Sequence, residues 1–157
     1  MAVNQHLTLD ATDHAILRLL QEDGRMTTAE LARAIHMSAT STGDRLRRLT
    51  DNGVIRGYRA VVDQTAVGYP LTGFIRLRWN GVGEELFQKL LEDTPQILEA
   101  HHLTGDDCYL IRVMARSVAD LETIAKELVH FGHITTNLVF SSPVTERPLT
   151  PPASTPV

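Results

Sequence analysis

Residues 27–53 read TTAELARAIHMSATSTGDRLRRLTDNG, and this stretch decides the N-terminal fold. The spacing Thr27-x-x-Glu30 is a capping box: the Thr hydroxyl accepts from the Glu30 amide while the Glu30 carboxylate reaches back to the amide of Thr27. A helix starting there carries Leu31, Ala32 and Ile35 on one face. His36 and Met37 form a turn, Ser38 suits the N-cap of a second helix, and Asn52-Gly53 ends it, with Gly53 at the left-handed position. Thr42, Leu46 and Leu49 stack at i, i+4 and i+7 and require burial. Thr40, Ser41, Asp44, Arg47 and Arg48 face the other way, with Arg45 at the flank.

Short hydroxyls and arginines on the exposed face of the second helix of a helix-turn-helix suit the major groove of a duplex. Arg pairs bidentately with guanine, and hydroxyls hold phosphates. The competing reading is a solvated polar face on an ordinary three-helix bundle. The following run, GVIRGYRAVVD (53–63), decides between them. Its two β-prone pieces, broken at Arg56-Gly57, predict a strand pair forming a wing. Arg56 and Arg59 add charge beside the helix, so residues 45–59 hold five arginines against one aspartate. Such an excess marks a phosphate-binding surface. The expected DNA contacts are therefore Ser38, Thr40, Ser41, Asp44, Arg45, Arg47, Arg48, Arg56 and Arg59.

Upstream, Asp10 caps a helix from Ala11 to about Glu22 whose Ile16, Leu17 and Leu20 share a face; Asp23-Gly24 ends it. The chain has 157 residues and 43% hydrophobic content, room for one domain or two small ones. Net charge is −4, but unevenly spread: eight arginines and seven acids up to residue 60, then seven basic residues and twelve acids. A weakly basic first part joined to an acidic second part fits a DNA-binding domain attached to one that does not bind DNA. No apolar run reaches the ~20 residues that span a bilayer, and the N-terminus lacks a leader pattern, so a cytoplasmic protein is expected. Cys108 is the only cysteine, which excludes an internal disulfide.

After a connector at 61–70, the second part alternates strand and helix signals. Leu71–Trp79 alternates apolar and polar residues; Glu84–Glu92 is amphipathic through Leu86, Phe87, Leu90 and Leu91. Ile97–Leu103 and Tyr109–Ala115 read as strands around a turn. Val118–Phe131 is a helix with Leu121, Ile124, Ala125 and Leu128, and Thr135–Ser141 a last strand. The βαββαβ order predicts a ferredoxin-like antiparallel sheet with both helices on one face. The fold class is α+β: a winged helix-turn-helix at 1–60, a linker at 61–70, a ferredoxin-like domain at 71–144 and a Pro-rich tail at 145–157, expected to be disordered. A second copy covering the open sheet face predicts a homodimer.

The residues Leu9-Asp10, Asp13, Ile16-Leu17, Asp23-Gly24-Arg25, Leu31-Ala32, Ser38, Arg45, Leu49, Gly53-Val54-Ile55, Gly57-Tyr58 and Gly68 together resemble the Lrp/AsnC, or feast/famine, family of transcriptional regulators. With the second half, the resemblance covers about residues 7–144. Asp44 departs from the pattern where a basic residue is frequent, and Thr42 where an aliphatic one is. Asp44 either selects a cytosine amine or tempers charge. The resemblance implies a RAM-type effector domain, nucleoid-associated regulation of double-stranded DNA operators, and dimers that join further, often into octamers. It also implies that the turn between the second and third strands, of the form Gly-x-aromatic-Asp, helps to hold an amino acid. Here Gly105 matches, Asp107 stands at the aromatic position and Cys108 at the Asp position. The implied effector residues are Thr104, Gly105, Asp106, Asp107 and Cys108, with Thr135 and Asn137 on the last strand.

Other chemistry is less well supported. His101, His102, Asp106, Asp107 and Cys108 suggest a zinc set, but adjacent histidines on a strand point to opposite faces, so no metal is assigned. Carboxylates beside Cys108 disfavour a reactive thiolate. No nucleophile elbow, P-loop, dinucleotide turn or zinc-peptidase helix occurs, and no catalytic residue or cofactor is assigned beyond a non-covalent amino-acid effector. An architectural DNA-wrapping protein without an effector is the alternative function.

Overall fold

The computed structural model describes residues 7–105, 108–145 and 147–150. The chain divides into two compact units: one runs to Ala60 and takes in the segment from Val144 onward, and the other is Val61–Pro143.

The first unit contains α1 (Ala11–Glu22), α2 (Thr28–Ala34) and α3 (Ala39–Asp51). Their starts are fixed by side chains. Asp10 accepts from the Asp13 amide at 2.8 Å while the Asp13 carboxylate accepts from the Asp10 amide at 3.1 Å. Thr27 and Glu30 exchange the same pair of bonds, 3.2 and 2.7 Å. Ser38 accepts from the Ser41 amide at 3.1 Å.

The ends of α2 and α3 share one motif. At α3, Gly53 N–H donates to Thr50 and Val54 N–H to Leu49, with Gly53 at φ +70°. At α2, His36 donates to Arg33 and Met37 to Ala32, with His36 at φ +55°. Both are Schellman ends, but the second places a residue with a Cβ where glycine fits best. The core of this unit is Ile16, Leu49 and Ile55, packed by Leu9, Leu17, Leu20, Ile35 and Leu46; Leu31 and Thr42 are also fully buried.

The strand pair expected at 53–62 is not formed among the described residues. Among the described residues, 53–62 pair with no strand, and Val61 and Val62 stay exposed. An isolated two-stranded pair has too little to bury to be stable alone. The β-prone residues of 53–62 therefore follow an irregular path over α1, held by Ile55 in the core.

The second unit contains β1 (Leu71–Trp79), α4 (Glu84–Asp93), β2 (Ile97–His102), β3 (Tyr109–Ala115), α5 (Val118–Val129) and β4 (Gly132–Leu138). The sheet order is β2-β3-β1-β4, all pairs antiparallel. This is the predicted ferredoxin-like plan. Ile75, Leu77, Ile111, Val113 and Ala115 pack with Phe87 of α4 and with Leu121, Ile124 and Leu128 of α5, so both helices cover one face. Phe87 anchors the core among the rings of Tyr109 at 4.9 Å, Phe131 at 5.3 Å and Trp79 at 6.3 Å.

The last strand begins at Gly132 rather than Thr135 and ends at Leu138 rather than Ser141. Gly132, at φ +152°, lies so close to the Arg78 carbonyl that no Cβ fits. The connection from α5 is therefore tight, and pairing with β1 starts at Gly132 opposite Trp79. The connector is ordered as well: Asp63 caps a turn by accepting from Thr65 N–H at 2.8 Å, and Gln64 bonds Thr72. At the other end of the chain, Leu149 exchanges two hydrogen bonds with Gln21 of α1. Of the tail expected to be disordered, 147–150 are described and meet α1 at Gln21, while 146 and 151–157 lie outside the described residues.

His36→Gly tests the turn of the helix-turn-helix. An L-residue in the left-handed region costs about 1–2 kcal/mol, partly offset by the extra chain entropy glycine loses on folding. A net gain of about 0.5–1 kcal/mol is expected in urea unfolding, and a loss of stability would contradict this account of the turn.

Candidate nucleic-acid interface and effector domain

The amphipathic pattern of α3 is realised as a buried face of Thr42 and Leu49 with half-buried Leu46. Thr42 satisfies its hydroxyl by donating to the Ser38 carbonyl at 2.9 Å. Thr40, Ser41, Asp44 and Arg47 are exposed on the other side. Arg47 and Asp44 pair at 3.3 Å while both remain mostly in solvent, where such a pair is worth at most ~1 kcal/mol and yields readily to a ligand. Ser38 spends its hydroxyl on the helix start and on Ser41. Arg56 and Arg59 lie exposed on the segment after α3.

Arg45 and Arg48 behave differently. Arg45 Nη1 donates to Asp10 and to Asp13, each at 2.8 Å, and Arg48 Nη2 donates to the second oxygen of Asp13. Asp13 is fully buried, and Arg48 Nε is buried without an acceptor among the described residues. The Asp13 amide bond and the Arg45 guanidinium hold the Asp10 carboxyl below the usual carboxylate range, and Asp10 followed by Asp13 raises Arg45 in turn. Two of the expected DNA contacts are thus tied to the first helix, and they fix the angle at which α3 presents its outer face. Sequence reasoning missed Asp13 in this role. Its visible signal was an acid in the first turn of α1, but its partners lie 32 and 35 residues away.

In the second unit, Leu103 N–H donates to the Cys108 carbonyl at 2.7 Å and closes the turn between β2 and β3. Thr104 and Gly105 are exposed, Gly105 at φ +107°, and Cys108 is half-buried. Asp106 and Asp107 lie outside the described residues. Thr135 and Asn137 are on β4, opposite Arg76 and Phe74. Since β4 and β2 are the two edges of the sheet, three strand spacings, about 14 Å, separate them. One chain does not bring the turn and the β4 residues together.

The sheet face away from the helices carries Phe74, Arg76 and Arg78 of β1, Leu110, Arg112 and Met114 of β3, and Thr135 and Asn137 of β4. Glu99 bridges His101 at 3.2 Å and Arg112 at 2.6 Å there; the His101 bond and then Arg112 lower its carboxyl. His102 instead stacks on Tyr109, 4.8 Å between rings. The two histidines diverge, and no group of three potential metal ligands converges among the described residues. No described helix is long and apolar enough to cross a membrane.

Asp13→Asn and Arg47→Ala should separate scaffold from surface. The first removes bonds between charged groups worth about 1.5–3 kcal/mol to stability, and the second should stay within about 0.5 kcal/mol of the parent, as surface changes do. Urea unfolding followed in the N-terminal unit checks both. Acid should act in the same direction as Asp13→Asn. The lowered carboxyl of Asp10 contributes stability that is complete above about pH 4, the unfolded value, and is lost as pH falls through the native one.

Comparison with known proteins bears on both units. Residues 9–56 match the model of a winged helix-turn-helix DNA-binding domain, and residues 72–149 that of the Lrp/AsnC ligand binding domain. The HTH-type transcriptional regulator LrpB of Bacillus subtilis is 32% identical over 127 residues, 81% of this chain and 85% of LrpB. The structure of B. subtilis LrpC superposes with a TM-score of 0.84 at 27% identity, covering 89% of this chain and all of LrpC. An L-methionine complex of a transcriptional regulator from Neisseria meningitidis gives 0.83 at 29%, covering 90% and 96%. These relatives are regulators of transcription, not enzymes. The chain belongs to the Lrp/AsnC family: it is a DNA-binding transcriptional regulator with a ligand-binding domain.

Proposed function

We propose that this regulator reads its operator through the outer face of α3 and answers to a free amino acid bound between copies of its second unit. The observation that carries the first half is the division of labour among the arginines. Arg45 and Arg48 are held by Asp13 and position the helix, which leaves Thr40, Ser41, Asp44 and Arg47 to meet base edges and phosphates, with Arg56 and Arg59 flanking. Arg47 has the reach and donor geometry for guanine, and Asp44 holds its guanidinium until DNA replaces it.

The effector reading rests on the Gly105 turn and on the neighbour that carries L-methionine. Gly105 lets a ligand approach the backbone, Asp106 and Asp107 supply charge for an ammonium, and Thr135 and Asn137 supply hydrogen bonds for a carboxylate. Because turn and strand lie at opposite sheet edges, a complete set needs two chains. The open sheet face, with Phe74, Leu110 and Met114 among charged residues, suits a homodimer, and the turns then join dimers into larger rings such as octamers. A ligand at that junction contacts assembled and dissociated forms differently, which is the condition for shifting between them. Its place would be the cytoplasm, on the nucleoid. Two α3 helices related by a two-fold axis would meet half-sites about one helical turn or a multiple apart.

Arg47→Ala should cost about 1–3 kcal/mol on the native promoter and much less on scrambled duplex; equal losses on both would make Arg47 a phosphate contact. For the effector, a thermal-shift screen of the twenty amino acids should give one clear class, worth about 2.7 kcal/mol at a hundredfold excess over Kd. Gly105→Trp should abolish that shift and the change in oligomer size while leaving operator binding by the dimer nearly intact. No hit among the twenty, with operator binding unchanged, would favour an architectural DNA-wrapping protein instead.

A further inference from the structure

The segment after β4 returns to the first unit and ends its described course against α1. Gln21, in the last turn of α1, donates from Nε2 to the Leu17 carbonyl at 3.2 Å, which fixes the amide group in place. The same Nε2 donates to the Leu149 carbonyl at 3.1 Å, and Oε1 accepts from the Leu149 N–H at 2.6 Å. One side-chain amide thus satisfies both backbone groups of one residue, as a neighbouring strand would.

The sequence prepares this segment for such a contact. Arg147 and Thr150 each precede a proline and are therefore biased to extended backbone. Pro148 has no amide and a fixed φ. A chain already extended loses less freedom on docking, so its two hydrogen bonds have less entropy to offset. Beside Gln21, Leu17, Leu20, Val54 and Tyr58 line an apolar groove that Leu149 and Thr150 border. Leu149 is 82% exposed as a residue and its hydrogen bonds to Gln21 are through its backbone, so the contact recognises backbone and not the leucine itself.

We infer that the C-terminal segment is a clasp for the DNA-binding unit: Gln21 grips the backbone of Leu149 at the α1 groove and ties that unit to the end of β4 by a second path. The first path is the linker after Ala60; the second leaves Leu138 and closes at Gln21. Thr135 and Asn137, the β4 residues of the effector reading, stand immediately before this second path. The clasp rests on the DNA-regulator reading for its purpose, though not for its existence. A unit held at two points has less freedom to turn than one hung on a linker, and this sharpens the phase at which paired recognition helices accept half-sites.

Amide exchange in the full chain, read by ¹⁵N NMR, tests the contact. The Leu149 amide should exchange at least tenfold more slowly than in a free peptide of residues 144–157, reach the peptide rate in Gln21→Leu, and stay protected at position 149 in Leu149→Ser. Peptide-like exchange in the parent overturns the clasp, and so does lost protection in Leu149→Ser. Its purpose is tested on duplexes whose half-sites are moved apart by half a helical turn, about 5 base pairs. The parent should lose tenfold or more in affinity, while Gln21→Leu and a chain ending at Thr145 should lose less than threefold. Undiminished phase discrimination in both variants overturns the tethering role. If the parent binds neither duplex, the DNA reading fails, while the exchange experiment still decides the clasp.

Discussion

The carboxylate of Asp13 has no exposure to solvent and receives a guanidinium on each oxygen. A buried charge is tolerated only when paired and hydrogen-bonded, and removing one partner costs far more than the pair itself contributes. Asp13 also accepts from the Asp10 amide, so one group starts α1 and anchors α3. Because Arg45 and Arg48 sit three residues apart on α3, their grip fixes the rotation of that helix about its own axis. The face carrying Thr40, Ser41, Asp44 and Arg47 is outward because the opposite flank is clamped. The angle at which α3 presents its outer face thus depends on the pairing of Arg45 and Arg48 with a buried carboxylate.

A comparable economy governs the second unit. An antiparallel sheet with both helices on one side leaves the other side to be covered by something else. That side is neither a core nor an ordinary surface: Phe74, Leu110 and Met114 sit among Arg76, Arg112, Glu99 and His101. Alternating apolar and charged groups can complement a second copy related by a two-fold axis, as in the proposed homodimer. The placement of Gly105 and of Thr135 with Asn137 at opposite edges makes the same point from the chemistry. On the proposed effector reading a site built from both edges needs two chains, so recognition and assembly would be coupled.

Local features were legible in the sequence and distant ones were not. The capping box at Thr27 and Glu30, the Ser38 cap and the Gly53 end all depend on residues within four positions of one another, and each is present as expected. The strand pattern of Leu71–Trp79 and the βαββαβ order were readable because one buried face imposes a period of two. The strand pair at 53–62 was not foreseeable as absent, because β-propensity does not reveal whether a partner strand is at hand. The start of β4 was placed late because the Gly132 contact with the Arg78 carbonyl depends on how α5 packs. The positions of Thr104, Gly105 and Cys108 were read by resemblance, and their separation from Thr135 and Asn137 follows only from sheet order.

The charge count deserves the same correction. Five arginines in residues 45–59 suggested a strongly cationic surface, but two of them are neutralised by Asp10 and Asp13, and Arg47 has Asp44 beside it. Affinity driven by counterion release falls with salt in proportion to the phosphates neutralised, about 0.9 per contact in the log–log slope. With Arg45 and Arg48 tied to Asp13, the proposed reading leaves fewer than five arginines of this stretch for phosphates. On the proposed reading less of the unit's binding is then indifferent to sequence, and more comes from the hydroxyls, Asp44 and Arg47 on the outer face of α3. In the proposed two-fold dimer a second α3 would add its contacts to those of the first, and operator affinity would rise above that sequence-indifferent background through the pair.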